Sequence, residues 1–169
     1  MSSNLPKQDS PLAIRKPKIE DGPSIYDLIT RSEPLDVNSR YLYLLQSSHF
    51  ANTCAVVESD GSVQAFISAY VLPDQPERLF VWQVAVDASL RGRGMAGKLI
   101  AELLARPQLQ GIRYVEATVN PSNDASRNLF RSLAKKHHCA IEESMLFDET
   151  LFGEGHEAEL LLSVGPIKS

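Results

Sequence analysis

Residues 79–100 read LFVWQVAVDASLRGRGMAGKLI. An apolar, β-rich run gives way to a turn holding Gly92, Gly94 and Gly97 among Arg91, Arg93 and Lys98. Leu99, Ile100, Leu103 and Leu104 then recur at helical spacing. A helix N-terminus carries unpaired N–H groups and the positive end of the macrodipole, so it attracts phosphate. Glycines let an anion reach those groups without a Cβ in the way. The turn is not a P-loop, because Leu99 follows the lysine, and it lacks the N-terminal βαβ setting of a dinucleotide GxGxxG. On the residues alone it is either a tight strand-to-helix connection or a seat for an anion.

Outward from this stretch, the chain alternates strands and helices. "AIRKP" is a short strand, "DGPSIYDLITRSEP" a helix, and "LDVNSRYLYLLQSSHF" a second helix capped at Asn38 or Ser39. "TCAVVES" and "VQAFISAYVL" flank a "DG" hairpin turn. "YVEATV" is a strand, "NPSNDASRNLFRSLAKKHH" a helix with Ala125, Leu129 and Leu133 inward, and "CAIEESMLF" and "EAELLLSV" the closing strands. The order implies a mixed α/β fold with a parallel portion after position 79 and an antiparallel portion before it.

The 169 residues, 43% hydrophobic, suffice for one domain with its own core. Residues 1–11 read as a flexible tail, and residues 12–169 as a single domain. A net charge of −4 argues against a general nucleic-acid binder, and no apolar run has transmembrane length. Cys54 and Cys139 lack ligand spacing, so they read as free thiols in a cytoplasmic protein and no metal is expected.

The stretch "VWQVAVDASLRGRGMAGKLI" resembles the acetyl-coenzyme A signature of the GCN5-related N-acetyltransferases, [RQ]-x-x-G-x-[GA], met here by Arg91, Gly94 and Ala96. Asn123, Ala125, Leu129 and Phe130 resemble the family's later N-x-A-x-x-x-L-[YF] pattern. The resemblance implies a mostly antiparallel sheet of about seven strands flanked by about four helices. It implies that Arg91, Gly92, Arg93, Gly94, Met95, Ala96, Gly97 and Lys98 hold the cofactor's pyrophosphate. It also implies that the strand bulges open so that Gln83, Val84, Ala85 and Val86 meet the pantetheine arm, and that Asn123 and Ser126 face the cofactor. Asn123 equally fits a helix N-cap. Many members carry a tyrosine where this chain has Phe130, so the general acid is left open.

Attack on a thioester needs a neutral amine, and an alkyl amine with a pKa near ~10 must first lose a proton. "EPLDVNSRYLYLLQSSHFANTCAVVE", "ATVNPSNDASRNLF" and "LFGEGHEAELLL" resemble, over residues 12–164, the branch of the family that acetylates the side-chain amine of L-2,4-diaminobutyrate. That branch implies a homodimeric, bacterial, cytoplasmic enzyme of osmotic-stress metabolism. Carried onto this chain, it makes Asp36, Asn38, Tyr41, Trp82, Glu154 and His156 the acceptor-site residues. Asp36 and Glu154 are expected to hold the cationic nitrogens, Tyr41 or Arg40 the carboxylate, and Trp82 to wall the channel. Glu154 is the first expected proton acceptor and His156 the second. The closing strand "EAELLLSV" is the expected place for part of a dimer interface. Two other readings stay open: an acetyltransferase of another small amine, and an acyl-coenzyme A sensor without catalysis.

Overall fold

The computed structural model describes residues 12–168. The expected tail, residues 1–11, lies outside the described residues. The strands are β1 (Ile14–Arg15), β2 (Cys54–Ser59), β3 (Ser62–Leu72), β4 (Gln75–Val86), β5 (Tyr114–Val119), β6 (Ala140–Phe147) and β7 (Glu159–Gly165). The helices are α1 (Gly22–Thr30), α2 (Arg40–Gln46), α3 (Met95–Ala105) and α4 (Asp124–Lys136). The strands form one sheet in the order β1-β2-β3-β4-β5-β7-β6, in which only β4 and β5 run parallel. The mixed, mostly antiparallel architecture expected from the sequence is the one found.

Local chemistry explains the elements. Asp60 and Gly61 take φ of 53° and 78°, the paired left-handed conformation that matches a two-residue hairpin to strand twist. Ser39 caps α2, its side chain accepting from the Leu42 amide at 3.2 Å. Alternation along β3 sends Ala65, Ile67 and Ala69 to one face, where Leu99, Ile100 and Leu103 of α3 meet them. Phe66 on the other face packs with Ile25, Leu28 and Ile29 of α1 and with Tyr43 of α2. Each of those three α1 side chains is fully buried, worth roughly 1.5–3 kcal/mol apiece. Helices α1 and α2 cover this second face over β2, β3 and β4, and among the described residues no helix packs on it over β5 and β7.

Two irregularities in β4 shape the middle of the sheet. Its pairing with β5 is limited to Arg78–Tyr114, Leu79–Val115 and Phe80–Glu116. Beyond Phe80, β4 stays on β3 while β5 stays on β7, so the two strands part company. The register with β3 also slips, Ser68 facing Gln83 while Ala69 faces Val81, which leaves Trp82 as the extra residue of a β-bulge. Leu79 and Val81 face the α3 side, whereas Ala85 joins the α1 core. The bulge therefore inverts the alternation, and Trp82 and Gln83 both turn to the α1–α2 face.

The closing strand does not supply an edge. β7 lies between β5 and β6, with both sides paired, so the outer strand is β6. The sequence order concealed this because the last strand inserts parallel to no neighbour and displaces its predecessor outward.

Asp87 closes β4. Its carboxylate accepts from the Ser89 hydroxyl at 2.6 Å, from Arg31 Nε at 2.8 Å and from the Ser89 amide at 3.1 Å. These bonds, the Ser89 hydroxyl foremost, hold its pKa at about 2. A carboxylate depressed below its unfolded value of ~3.9 contributes stability above that value and loses it as pH falls toward the folded one. Asp87→Asn is therefore expected to flatten the loss of stability between pH 4 and pH 2, followed by circular dichroism during acid titration. An unaltered acid profile would show that Asp87 adds nothing.

Candidate active site

The glycine-rich turn stands where β4 has left β5. Gly92 and Gly94 have φ of 77° and 67°, a region that L side chains rarely adopt. Gly94 is the N-cap of α3 and no side chain caps that end; the first backbone bond there is from the Lys98 amide to the Gly94 carbonyl at 3.1 Å. The amides of Met95, Ala96 and Gly97 are thus the unpartnered first-turn donors of an eleven-residue helix. A Cβ built on Gly92, Gly94 or Gly97 meets nothing within 4 Å, so the space over the turn is open. It belongs to a cavity of about 580 Å³ between α3 and α4. The cavity is lined on one side by Val86, Arg91, Gly92, Gly94, Met95, Ala96 and Gly97, and on the other by Ala125, Asn128, Leu129 and Ser132. An anion-binding helix terminus, bare backbone and an arginine in one open cleft fit a pyrophosphate and its arm.

Several expected residues stand apart from this lining. Arg93 and Lys98 are exposed around the turn and do not line the cavity. Val84 is half-buried against the α3 core and Ala85 is buried against α1, both on the stretch of β4 that has no β5 partner. Asn123 is the N-cap of α4, its Oδ1 accepting from the Ser126 amide at 3.1 Å, so the capping alternative describes its side chain. Ala125, expected inward, is exposed toward the cavity. Asn128 and Ser132 were missed. With Ala125 and Leu129 they form an i, i+3, i+4, i+7 stripe of one helix face, a signal the sequence did carry. Phe130 is buried in the core, at 2% exposure, and offers no hydroxyl.

A second cavity, of about 480 Å³, lies on the uncovered half of the opposite face. Phe80 and Trp82 of β4, Thr118 of β5, Leu161 of β7 and Phe147 of β6 line it, and Arg78 and Glu116 lie in its wall. Trp82 is 48% exposed, so it is a wall of this cavity and not a core residue. Glu116, only 3% exposed, pairs with Arg78 and accepts from Ser163 Oγ at 2.9 Å, which closes the crotch of the split with a satisfied charge.

The acceptor candidates approach from two sides. The loop between α1 and α2 brings Asp36 and Asn38 next to β4, because Gln83 Nε2 donates to the Asp36 carbonyl at 2.7 Å. The side chains of Asp36 and Tyr41 are exposed. Arg40 is stacked over the Tyr26 ring at 4.0 Å. From the other side, the loop before β7 carries His156. Its ring stacks on Phe152 at 4.0 Å, and Phe152 meets Phe147 of the cavity wall edge-on at 6.3 Å. Nδ1 of His156 lies 2.6 Å from the Glu157 carbonyl, which can only accept, so Nδ1 is the donor of that pair and Nε2 is the ring nitrogen left for other partners. Glu159 Oε1 stands 3.9 Å from Nε2. Glu159 shares the cavity face with Leu161 two residues on, and its side chain is 18% exposed. Glu154, by contrast, is fully on the surface turn before His156 and makes no bond among the described residues. Glu159 was missed because it reads as the polar start of a strand. Among the described residues, no group of three His, Cys, Asp or Glu side chains is placed to hold a metal ion, and no helix is long and apolar enough to cross a membrane.

A parted sheet with an anion-binding turn at its opening defines an acyl-coenzyme A-dependent transferase fold. The model of the acetyltransferase (GNAT) family matches residues 22–134. The L-2,4-diaminobutyric acid acetyltransferase of Halalkalibacterium halodurans is 42% identical over 160 residues, 94% of this chain and 84% of that protein. Its counterpart in Shouchella clausii is 44% identical over 159 residues, 94% of this chain and 89% of that protein. The diaminobutyrate acetyltransferase EctA from Paenibacillus lautus, solved in complex with its substrate L-2,4-diaminobutyric acid and coenzyme A, superposes with a TM-score of 0.89. It is 38% identical, covering 94% of this chain and 96% of that one. The chain belongs to the GNAT acetyltransferases and, within them, to the L-2,4-diaminobutyric acid acetyltransferase family.

Gly94→Val places a β-branched side chain at φ 67° and a Cβ in the open space over the turn. The KM for acetyl-coenzyme A is expected to rise roughly tenfold or more, with the amine KM little changed. Initial rates with each substrate varied in turn check this, and an unmoved cofactor KM would remove the pyrophosphate from the turn.

Proposed function

We propose that this chain transfers the acetyl group of acetyl-coenzyme A to the N4 amine of L-2,4-diaminobutyrate, giving N4-acetyl-L-2,4-diaminobutyrate for ectoine biosynthesis under osmotic stress in the bacterial cytoplasm. The observation that carries this reading is the fit to the Paenibacillus lautus enzyme over nearly the whole of both chains. Residues 12–169 act as one acetyltransferase domain.

Acetyl-coenzyme A supplies the activated acyl thioester. Arg91 and the backbone of residues 92–98 seat the pyrophosphate, the backbone of residues 83–86, and not their side chains, guides the arm along the unpaired side of β4, and Ser126 lies beside the capped start of α4. On the other side of the split, Asp36 attracts the cationic amino acid, while Asn38 and Tyr41 offer hydrogen bonds to its polar head. Trp82 and Phe80 wall off the reacting amine from bulk water. His156 Nε2 accepts the ammonium proton, and Glu159 stabilises the imidazolium that results. This places the proton acceptor on His156 and assigns Glu154 to the mouth of the site, where it draws in the cation by charge.

The homodimer forms through β6. All eight of its residues are exposed, Ile141, Met145, Leu146 and Phe147 among them, and its outer backbone has no strand partner among the described residues. Leu146 and Phe147 also border the acceptor cavity, so a second copy on β6 would wall it further.

Purified enzyme should release thiol from acetyl-coenzyme A with 2,4-diaminobutyrate well ahead of ornithine, lysine, 2,3-diaminopropionate and spermidine, with the product acetylated at N4 by NMR. A preference for another amine would discard the substrate. Glu159→Gln is expected to lower kcat by roughly 10²-fold and move the acid limb of the rate profile to lower pH, because the imidazolium loses its stabilising charge, while Glu154→Gln mainly raises the amine KM. The reverse pattern would return the base to Glu154.

The exposed strand gives a separate test. Met145→Asp together with Ile141→Lys should convert a dimer to a monomer in sedimentation velocity. A dimer that persists would place the interface elsewhere.

A further inference from the structure

Gln83 is 6% exposed, yet its polar groups reach three separate segments. Its amide donates to Ser68 Oγ of β3 at 3.2 Å, fixing the strand at the bulge. Its Oε1 accepts from Tyr43 Oη of α2 at 3.2 Å. Its Nε2 donates to the Asp36 carbonyl at 2.7 Å. Tyr43 Oη in turn accepts from the Asn38 amide at 3.2 Å, and its ring is fully buried between Tyr26 and Phe66. From Asp36 to Asn38 these two bonds are the backbone ties among the described residues; the loop is otherwise exposed apart from half-buried Leu35 and Asn38. A leucine would fill the same core volume without the desolvation cost of a buried amide, so the amide is kept for what it connects.

We propose that Gln83 is the positioning residue that sets acceptor chain length, by tying the Asp36–Asn38 loop to the β4 bulge that faces the thioester. This rests on the acceptor reading above and extends it. The bulge turns Trp82 and Gln83 to the same face, so one residue walls the reacting amine while its neighbour fixes the loop that holds the far end of the same molecule. The distance between the two ends is then a property of this short hydrogen-bonded link and not of a flexible loop. A diamino acid one methylene longer cannot satisfy both ends at once.

The test compares wild type with Gln83→Leu, Gln83→Glu and Tyr43→Phe. Gln83→Leu should raise the KM for 2,4-diaminobutyrate roughly tenfold, leave that for acetyl-coenzyme A within about twofold, and shrink the preference over ornithine by a similar factor. Gln83→Glu keeps the acceptor for Tyr43 but loses the donor to Asp36, and should fall between. Hydrogen exchange of residues 33–42 should quicken in all three variants, a readout that needs no turnover. Equal changes in both KM values with selectivity intact, or unchanged exchange in the loop, would overturn the proposal. Faster exchange in an enzyme whose wild type ignores 2,4-diaminobutyrate would uphold the tie and fail the substrate reading instead. Variants whose urea midpoints fall are compared at matched folded fraction, so lost stability is not read as lost positioning.

Discussion

One extra residue in β4 sets the geometry of both substrate sites. A strand with unbroken alternation would carry its pairing with β5 to the end and keep Trp82 and Gln83 on opposite faces. The bulge at Trp82 and the halt in pairing after Phe80 come within three residues of each other. Between them they open the sheet, leave one flank of β4 unpaired and turn two adjacent side chains to the same face. The pair of half-buried Arg78 and buried Glu116 sits where the opening begins and is bonded to Ser163 of β7, so the three strands are held together just below the point where they separate. Removing one partner of such a pair would leave a stranded charge in the sheet.

The two halves of the site are made differently. The cofactor side is mostly backbone: first-turn amides, two left-handed glycines and the small residues of one α4 face. Recognition there depends on what side chains are absent, which suits a ligand common to a whole superfamily. The acceptor side is made of side chains delivered by separate loops onto the uncovered face, with aromatic contacts from Phe147 through Phe152 to His156 tying the loop before β7 to the cavity wall. That suits a ligand that differs from one relative to the next.

The same contrast governs what was legible in the sequence. The turn at 91–98 is contiguous, so its glycines, charges and following helix could be read in one pass, and the structure puts six of those eight residues on the cavity. The hairpin at Asp60–Gly61 and the cap at Ser39 were legible for the same reason, since each is local chemistry. The bulge was not, because "LFVWQVAV" is apolar at every position but Gln83 and so carries no alternation from which a slip of register could be read. Glu159 was hidden at the polar start of a strand, and Gln83 was assigned through its backbone while its side chain binds a loop 47 residues away in sequence. The position of β7 inside the sheet is likewise non-local: only the pairing with β5 and β6 reveals it.

The outer strand also bears on which extended chains this protein can meet edge to edge. A row of eight exposed residues whose outer flank has no strand partner among the described residues is a template for any extended chain that meets it. In its centre stand Glu142 and Glu143. Glu143 is bonded to Arg127 at 2.8 Å, but stacked in register with identical strands, as in a fibril, the Glu142 carboxylates would lie directly over their own copies and repel. In an antiparallel encounter each can be offset against a different residue. The charge therefore penalises one kind of strand-to-strand meeting more than the other, so the same exposed edge answers differently to parallel and antiparallel partners.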